Sequence, residues 1–368
     1  MEKIGIIGGG IIGMTVANYL NTEKFSIALF DHGTGQATKA SAGIISPWLS
    51  KRRNKIWYHL AKDGAAFFQK LVKDIALDQA IYSQSGTLVI RKKENLQELF
   101  NLAEKRKKDA PAIGELKLLK AEQTAEMFPL LKKIPSLYVS GGGRLSGKAY
   151  LHYSSQRLKN KGITCFKEKV QLKKRNGSWL IQSEFREKQV DRVVLTPGPS
   201  LKSLLEPLGY RVDIRPQKGQ LIAFDTLYHQ SQSWPVAMLD GETDLIPFHN
   251  GKILLGATHE NEQKWDLTPT EEAYLQLTET SRSFLAQPEK LFSRPYQLQV
   301  GTRAYSSDFS PFFGPLFEDT SLLLASGLGS SGLTTGPYIG YLLSEFLNTG
   351  TGCGMSYQKT MDKYIKKM

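Results

Sequence analysis

Ile4-Gly5-Ile6-Ile7-Gly8-Gly9-Gly10-Ile11-Ile12-Gly13 is an uncharged apolar run that stops at glycines spaced G-x-G-x-x-G. The run predicts a buried parallel strand, and the glycines predict a sharp turn into a helix. Gly8 permits the turn, Gly10 lets backbone approach a pyrophosphate, and Gly13 lets the helix pack against the strand. The helix start offers unpaired N–H groups and the positive end of a dipole to phosphate. Ile12, Val16 and Leu20 then recur every fourth residue, and Phe25 to Phe30 reads as a second strand that runs into Asp31, eighteen residues after Gly13. An acid there accepts the ribose hydroxyls of an adenosine and repels a 2′-phosphate, so the expected ligand is FAD or NAD rather than NADP.

The remaining chain extends this pattern. His32-Gly33-Thr34-Gly35-Gln36-Ala37-Thr38-Lys39-Ala40-Ser41-Ala42-Gly43 is a run of mostly small residues suited to wrapping an extended ligand, and it ends in the apolar Ile44 to Trp48. Between Lys55 and Ala110 a stripe containing Trp57, Leu60, Phe68 and Leu71 predicts helix, interrupted by a strand at Ser85 to Arg91. Gly141 to Gly147 reads as a return to the cofactor region, and Asn176-Gly177 as a hairpin turn. Residues 212 to 300 alternate and turn at Asn250-Gly251, which predicts an antiparallel sheet. The chain closes as strand, glycine turn (Gly329-Ser330-Ser331-Gly332-Leu333) and helix.

The fold class expected is therefore α/β with an α+β second domain. A Rossmann-like dinucleotide-binding domain is drawn from about 1–50, 145–205 and 300–368, interleaved with a mostly antiparallel substrate domain from about 51–144 and 206–299.

Bulk properties narrow the class further. At 368 residues and 40% hydrophobic the chain can bury a large core, and no apolar run is long enough for a membrane helix. The N-terminal apolar run is broken by glycine and already used as strand and turn, so no secretory signal is expected. Cys165 and Cys353 make neither a disulfide framework nor a metal cluster, which points to a cytoplasmic protein without a metal site. The net charge of +13 is uneven: residues 1–192 carry 34 Lys and Arg against 17 Asp and Glu, and the remainder 14 against 18. Lys51-Arg52-Arg53-Asn54-Lys55 concentrates this charge just after the small-residue loop.

The chain resembles the D-amino-acid oxidase and glycine oxidase superfamily. The resemblance rests on the first glycine motif and on the A-S-x-x-A-G-like loop around Ser41, Ala42 and Gly43. It continues through R-P-x-x-G-Q-L from Arg215 to Leu221, the hairpin ending Leu254-Leu255-Gly256-Ala257-Thr258, the G-x-R at Gly301 to Arg303, and the last glycine turn. It covers nearly the whole chain, in order, and favours FAD over NAD.

The FAD contacts it implies are Gly8, Gly10, Ile11, Ile12, Gly13, Asp31 and His32 for the adenosine diphosphate half, with Val170 at the adenine. Ser41, Ala42, Gly43, Gly198, Gly329, Ser330, Ser331, Gly332 and Leu333 follow along the pyrophosphate and flavin. Arg303 takes the position of the family's carboxylate-binding arginine, whose planar fork of donors grips a carboxylate with two parallel hydrogen bonds. Phe248, Trp48 and Ser330 complete the substrate set, and Phe248-His249 and Ser330 depart from the residues usual in the family. No cysteine stands near the G-x-R strand, so the FAD is expected to be non-covalent.

Two activities follow from the resemblance. One is oxidation of a C–N bond in glycine, sarcosine or a D-amino acid by hydride transfer to flavin, followed by imine hydrolysis. The other is removal of the carboxymethyl group from carboxymethylaminomethyl-uridine in tRNA, as in the oxidase half of the bifunctional wobble-uridine enzyme, with the basic N-terminal half as the RNA-facing surface.

Overall fold

The computed structural model describes residues 1–50, 54–241, 243–357 and 359–368, with the side chain of Met355 left aside. Its organising element is a six-stranded sheet in the order Phe312–Leu316, Asp319–Ser326, Arg192–Leu195, Glu2–Ile7, Phe25–Phe30, Thr164–Phe166. All neighbours are parallel except the hairpin of the first two strands. Glu2–Ile7 lies in the middle, and its Ile4–Ile7 part is buried on both sides, which is why that part is continuously apolar rather than alternating. Ile7 is level with Phe30 on one side and Leu195 on the other, so three strand ends open together beneath the first glycine turn.

The helices Ile11–Tyr19 and Gly332–Thr349 pack side by side on one face of this sheet. Their close approach needs small residues: a Cβ at Gly340 would meet Thr15 Cβ at 2.7 Å. At the turn, Gly8 has φ of +106°, and a Cβ there would run into the Thr196 carbonyl. A Cβ at Gly13 would strike the Gly8 carbonyl, so the strand and helix touch through that glycine as the spacing predicts.

An eight-stranded sheet forms the second layer, in the order Tyr296–Tyr305, Arg215–Asp225, Lys252–Gly256, Asp244–Pro247, Val236–Met238, Thr87–Val89, Ser136–Val139, Leu116–Leu119. It is antiparallel apart from the contact between Val236–Met238 and Thr87–Val89. Its outer face carries Ile222, Phe224, Leu245 and Leu255, packed with Leu277 of the helix Glu271–Arg282. The inner face carries Leu221, Ala223, Ile246 and Leu254 and rests on Ala42 and Ile44 of the small-residue loop. A small sheet of Ile44–Ile45, Gly143–Leu145 and Tyr82–Ser83 joins the two layers.

Tyr296–Tyr305 crosses residue 300, where a change of domain is expected from sequence, yet runs unbroken beside Arg215–Asp225. The glycine-rich reading from residue 300 onward masks a strand whose ladder begins four residues earlier. Residues 167–170, after the sheet-edge strand Thr164–Phe166, are irregular. No described helix is long and apolar enough to cross a membrane.

Candidate active site

The C-terminal ends of the parallel strands and the inner face of the antiparallel sheet enclose one elongated cavity of 820 Å³. At one end Asp31 and Gly33 follow the second strand. The first glycine turn comes next, with Gly8, Gly10, Ile11 and Ile12 on the wall. Gly10 precedes the helix without any side-chain cap, and a Cβ on it would meet only Thr38 Oγ1, at 3.4 Å. The Ile11 N–H donates to Thr38 Oγ1 at 3.1 Å, while helix geometry leaves Ile12 and Gly13 without intrahelical acceptors for their N–H groups.

Ser41, Ala42 and Gly43 line the middle of the cavity, and Ser41 Oγ donates to the Thr38 carbonyl at 2.8 Å. Opposite them, Gly329 to Leu333 bring in a second helix N-terminus, again with no side-chain cap at Ser331. Ser331 Oγ is fixed from both sides, accepting from Trp57 Nε1 at 3.0 Å and donating to the Leu328 carbonyl at 2.9 Å. Asn54 caps the helix that carries Trp57 by accepting from its backbone N–H at 3.0 Å. A single cavity bounded by two uncapped helix starts, an acid at one end and an open glycine between them suits an extended dinucleotide with a central pyrophosphate. The residues present therefore fit FAD.

Arg303 lies on the inner face at the edge of the second sheet. Its Nη1 donates to the Thr258 carbonyl at 2.8 Å and to Gln217 Oε1 at 3.2 Å, and its head lies over Gly219. Those acceptors are themselves held. Lys218, fully buried on the opposite face of the same strand, donates to Asp266 Oδ2 at 2.9 Å and to the Thr268 carbonyl at 2.7 Å. Gln220 binds Glu260 Oε1 at 2.9 Å and exchanges hydrogen bonds with Thr270. Residues 258–270 are thus tied to the strand that lies beneath the Arg303 guanidinium, and His259 on that segment also lines the cavity.

Several expected contacts lie elsewhere. Trp48 is 1% exposed and packs in the main core, while its neighbours Pro47 and Leu49 reach the cavity in its place. Phe248 does not reach the cavity either: it packs under the inner sheet face, 5.5 Å from the buried Arg144 guanidinium. His32 points to solvent, its ring bonded to Thr34, while Val170, whose backbone is the part expected at the adenine, turns its side chain into the core beside Leu172 and Ile181. Gly13 packs the helix without lining the cavity, whereas Gly198, Ser330 and Arg303 do line it. Lys51, Arg52 and Arg53 lie outside the described residues.

Sequence reading passed over Asp244, Arg91 and Met238, all of which line the cavity. A signal for Asp244 existed. Period-two alternation sets it on the same face as Ile246 and Phe248, an acid at an inward position of an apolar strand.

The sequence matches the family described as FAD dependent oxidoreductase (DAO) over residues 3–346. The uncharacterized oxidoreductase YurR of Bacillus subtilis (strain 168) is 33% identical over 355 residues, covering 94% of this chain and 95% of the relative. Glycine oxidase of Pseudomonas aeruginosa is 25% identical over 359 residues, again covering 94% and 95%. Among solved structures, iminodiacetate oxidase (IdaA) from Chelativorans sp. BNC1 superposes with a TM-score of 0.89 at 25% identity, covering 98% of each chain. With its paired glycine turns facing one cavity and a family match spanning nearly its full length, this chain belongs to the DAO family of FAD-dependent oxidoreductases.

Proposed function

We propose that this oxidoreductase oxidises the C–N bond of a small amine bearing a carboxylate, either an amino acid or an N-substituted glycine. The observation that carries this reading is Arg303, an arginine held by two fixed acceptors in the same cavity as the uncapped helix start at Gly332. Two relatives are named for such compounds, glycine oxidase and iminodiacetate oxidase, and both of those substrates contain a carboxymethylamine unit.

FAD, when bound, supplies the hydride acceptor. The chain's own residues do the rest. Arg303 receives the carboxylate through charge-assisted hydrogen bonds, which fixes the orientation of the adjacent carbon. The N–H groups that open the helix Gly332–Thr349 offer donors and a positive dipole end to negative charge that develops beside them. Gly219, Gly256 and Ala257 keep the roof low, and Met238 and Val89 exclude water from the side.

Anaerobic mixing of the FAD-loaded protein with glycine, sarcosine, D-alanine and iminodiacetate tests this reading. Bleaching of the flavin absorbance by at least one is expected, and an unbleached flavin with all four would overturn it. A parallel sample with tRNA carrying carboxymethylaminomethyl-uridine is expected to remain yellow.

A further inference from the structure

The roof of the cavity holds an acid that the fold does not use. Asp244 stands in the middle of the inner sheet face, with Met238 directly opposite on one neighbouring strand and Gly256 on the other. Around it the same face is apolar, with Leu221, Val236, Ile246 and Leu254. Putting an aspartate in such a place is costly unless the charge is compensated, and here it is compensated only in part. The Leu239 N–H and the Arg91 guanidinium are close enough to favour its ionised form.

Arg91 is otherwise engaged. Its Nη1 donates to the carbonyls of Ile90, Met238 and Leu239 at 2.6, 3.1 and 2.7 Å, and its Nε pairs with Asp240 at 3.6 Å. Among the described residues Asp244 makes no ion pair of its own. Its surroundings push the carboxyl up to about 7, burial being the chief cause. An apolar residue would serve the strand equally well, so the acid is available to a ligand.

Its place in the sheet says which part of a ligand. The Arg303 head lies over Gly219, two residues along the strand from Leu221, and Asp244 lies two strands across from Leu221 through Gly256. At ~3.4 Å per residue and ~4.8 Å between strands, the two positions are ~12 Å apart. Glycine or sarcosine, bound through its carboxylate on Arg303, is too short to span that gap.

We propose that Asp244 is the specificity-determining residue of this cavity, accepting hydrogen bonds from a cationic amine at the far end of an N-substituted glycine or amino acid whose carboxylate is on Arg303. The same charge disfavours a second carboxylate, so discrimination comes from repulsion as well as attraction. This rests on the carboxylate-binding role given to Arg303 above.

The test titrates the FAD-loaded protein anaerobically, near pH 8.5, with N-(2-aminoethyl)glycine, its neutral isostere N-propylglycine, and iminodiacetate. Dissociation constants are read from perturbation of the flavin spectrum and turnover from its bleaching. The aminoethyl compound is expected to bind about tenfold tighter than the propyl compound, and iminodiacetate weakest. Asp244→Asn is expected to bring the first two within about threefold of each other, and Asp244→Glu to restore the preference.

Equal or reversed affinities in the wild type, no binding of the aminoethyl compound by ~10 mM, or an unchanged ratio in Asp244→Asn would each overturn the assignment. Should Asp244→Asn fail to fold, the wild-type ratio and the Asp244→Glu variant decide. Binding without bleaching by any compound would overturn the oxidation reading alone, leaving Asp244 to be judged by the affinity ratio.

Discussion

The guanidinium of Arg303 occupies the space that a side chain at residue 219 would take: a Cβ on Gly219 would come within 2.6 Å of Arg303 Cζ. Because the obstructing atoms are the end of a flexible side chain, Gly219→Ala is expected to fold and to displace Arg303. The cost should appear in kcat/KM for carboxylate-bearing amines, on the order of tenfold to a hundredfold, with little change in thermal midpoint. Steady-state kinetics beside a melting curve checks this, and an unaltered kcat/KM would argue that Arg303 can work from another position.

Removing the guanidinium itself should cost more. Arg303→Ala is expected to stay folded and yellow while losing about 2–4 kcal/mol of transition-state stabilisation, the size of the charge-assisted bidentate contact proposed for it. Arg303→Lys should recover little, because an ammonium cannot present two parallel donors. Wild-type turnover in the alanine variant on every carboxylate substrate would remove Arg303 from the site.

Stability should depend on pH through Asp244. An unfolded aspartate titrates near 3.9, whereas the folded group titrates at about 7, raised mainly by burial. Between those values the folded chain holds more protons, so this group's contribution is complete below about pH 4 and is lost as pH rises to about 7. Arg91 is the charged group facing it, and it moderates the shift. Asp244→Asn is therefore expected to match the wild type at pH 4 and exceed it at pH 8, by on the order of 1–3 kcal/mol once the carboxyl's opening onto the cavity is allowed for. Urea unfolding at the two pH values measures the difference, and a gap of equal size at both would contradict it.

The first glycine turn separates folding from cofactor binding. Gly13→Ala drives a Cβ into the Gly8 carbonyl, backbone that cannot move aside, so the variant should express poorly or melt many degrees lower. Gly10→Ala meets only Thr38 Oγ1 and opens on the cavity, so it should fold and retain less flavin. Flavin content per protein, read by absorbance, distinguishes the two.

Flavin attachment offers a direct check. Neither cysteine lines the cavity; Cys165 sits on the sheet-edge strand, and Cys353 is buried with its thiol pushed up to about 12. Acid precipitation is expected to leave the protein pellet colourless and the flavin in the supernatant. A yellow pellet would mean a covalent link.

How far the sequence could be read depended on the source of each constraint. Backbone rules exposed the first turn, because Gly8 and Gly13 are required by geometry within a dozen residues of one another. The Asn250-Gly251 turn was legible for the same reason, Asn250 having φ of +58° and Gly251 of +73°. Trp48 was not, since nothing local distinguishes an aromatic that faces a cavity from one that turns away into the core. Phe248 fails likewise: its place is decided by Arg144, more than a hundred residues earlier. Asp244 was visible as a break in alternation, but recognising what it faces required knowing which sheet face lies over the cofactor loop.

The strand Glu2–Ile7 precedes every other strand of its sheet in the chain and yet occupies the middle of that sheet. One neighbour, Phe25–Phe30, follows almost at once; the other, Arg192–Leu195, is made only after the roof sheet's first three strands and the linking helices have been made. Until then the buried segment Ile4–Ile7 has one side unpaired, a condition that favours slow folding and capture by other exposed strands. The helix that closes the far wall begins only at Gly332, so a nascent chain has no complete pocket for the dinucleotide until that helix has been made. Flavin supply should therefore govern the yield of active protein at release from the ribosome, and limiting it should send the chain to aggregates rather than to a soluble colourless form.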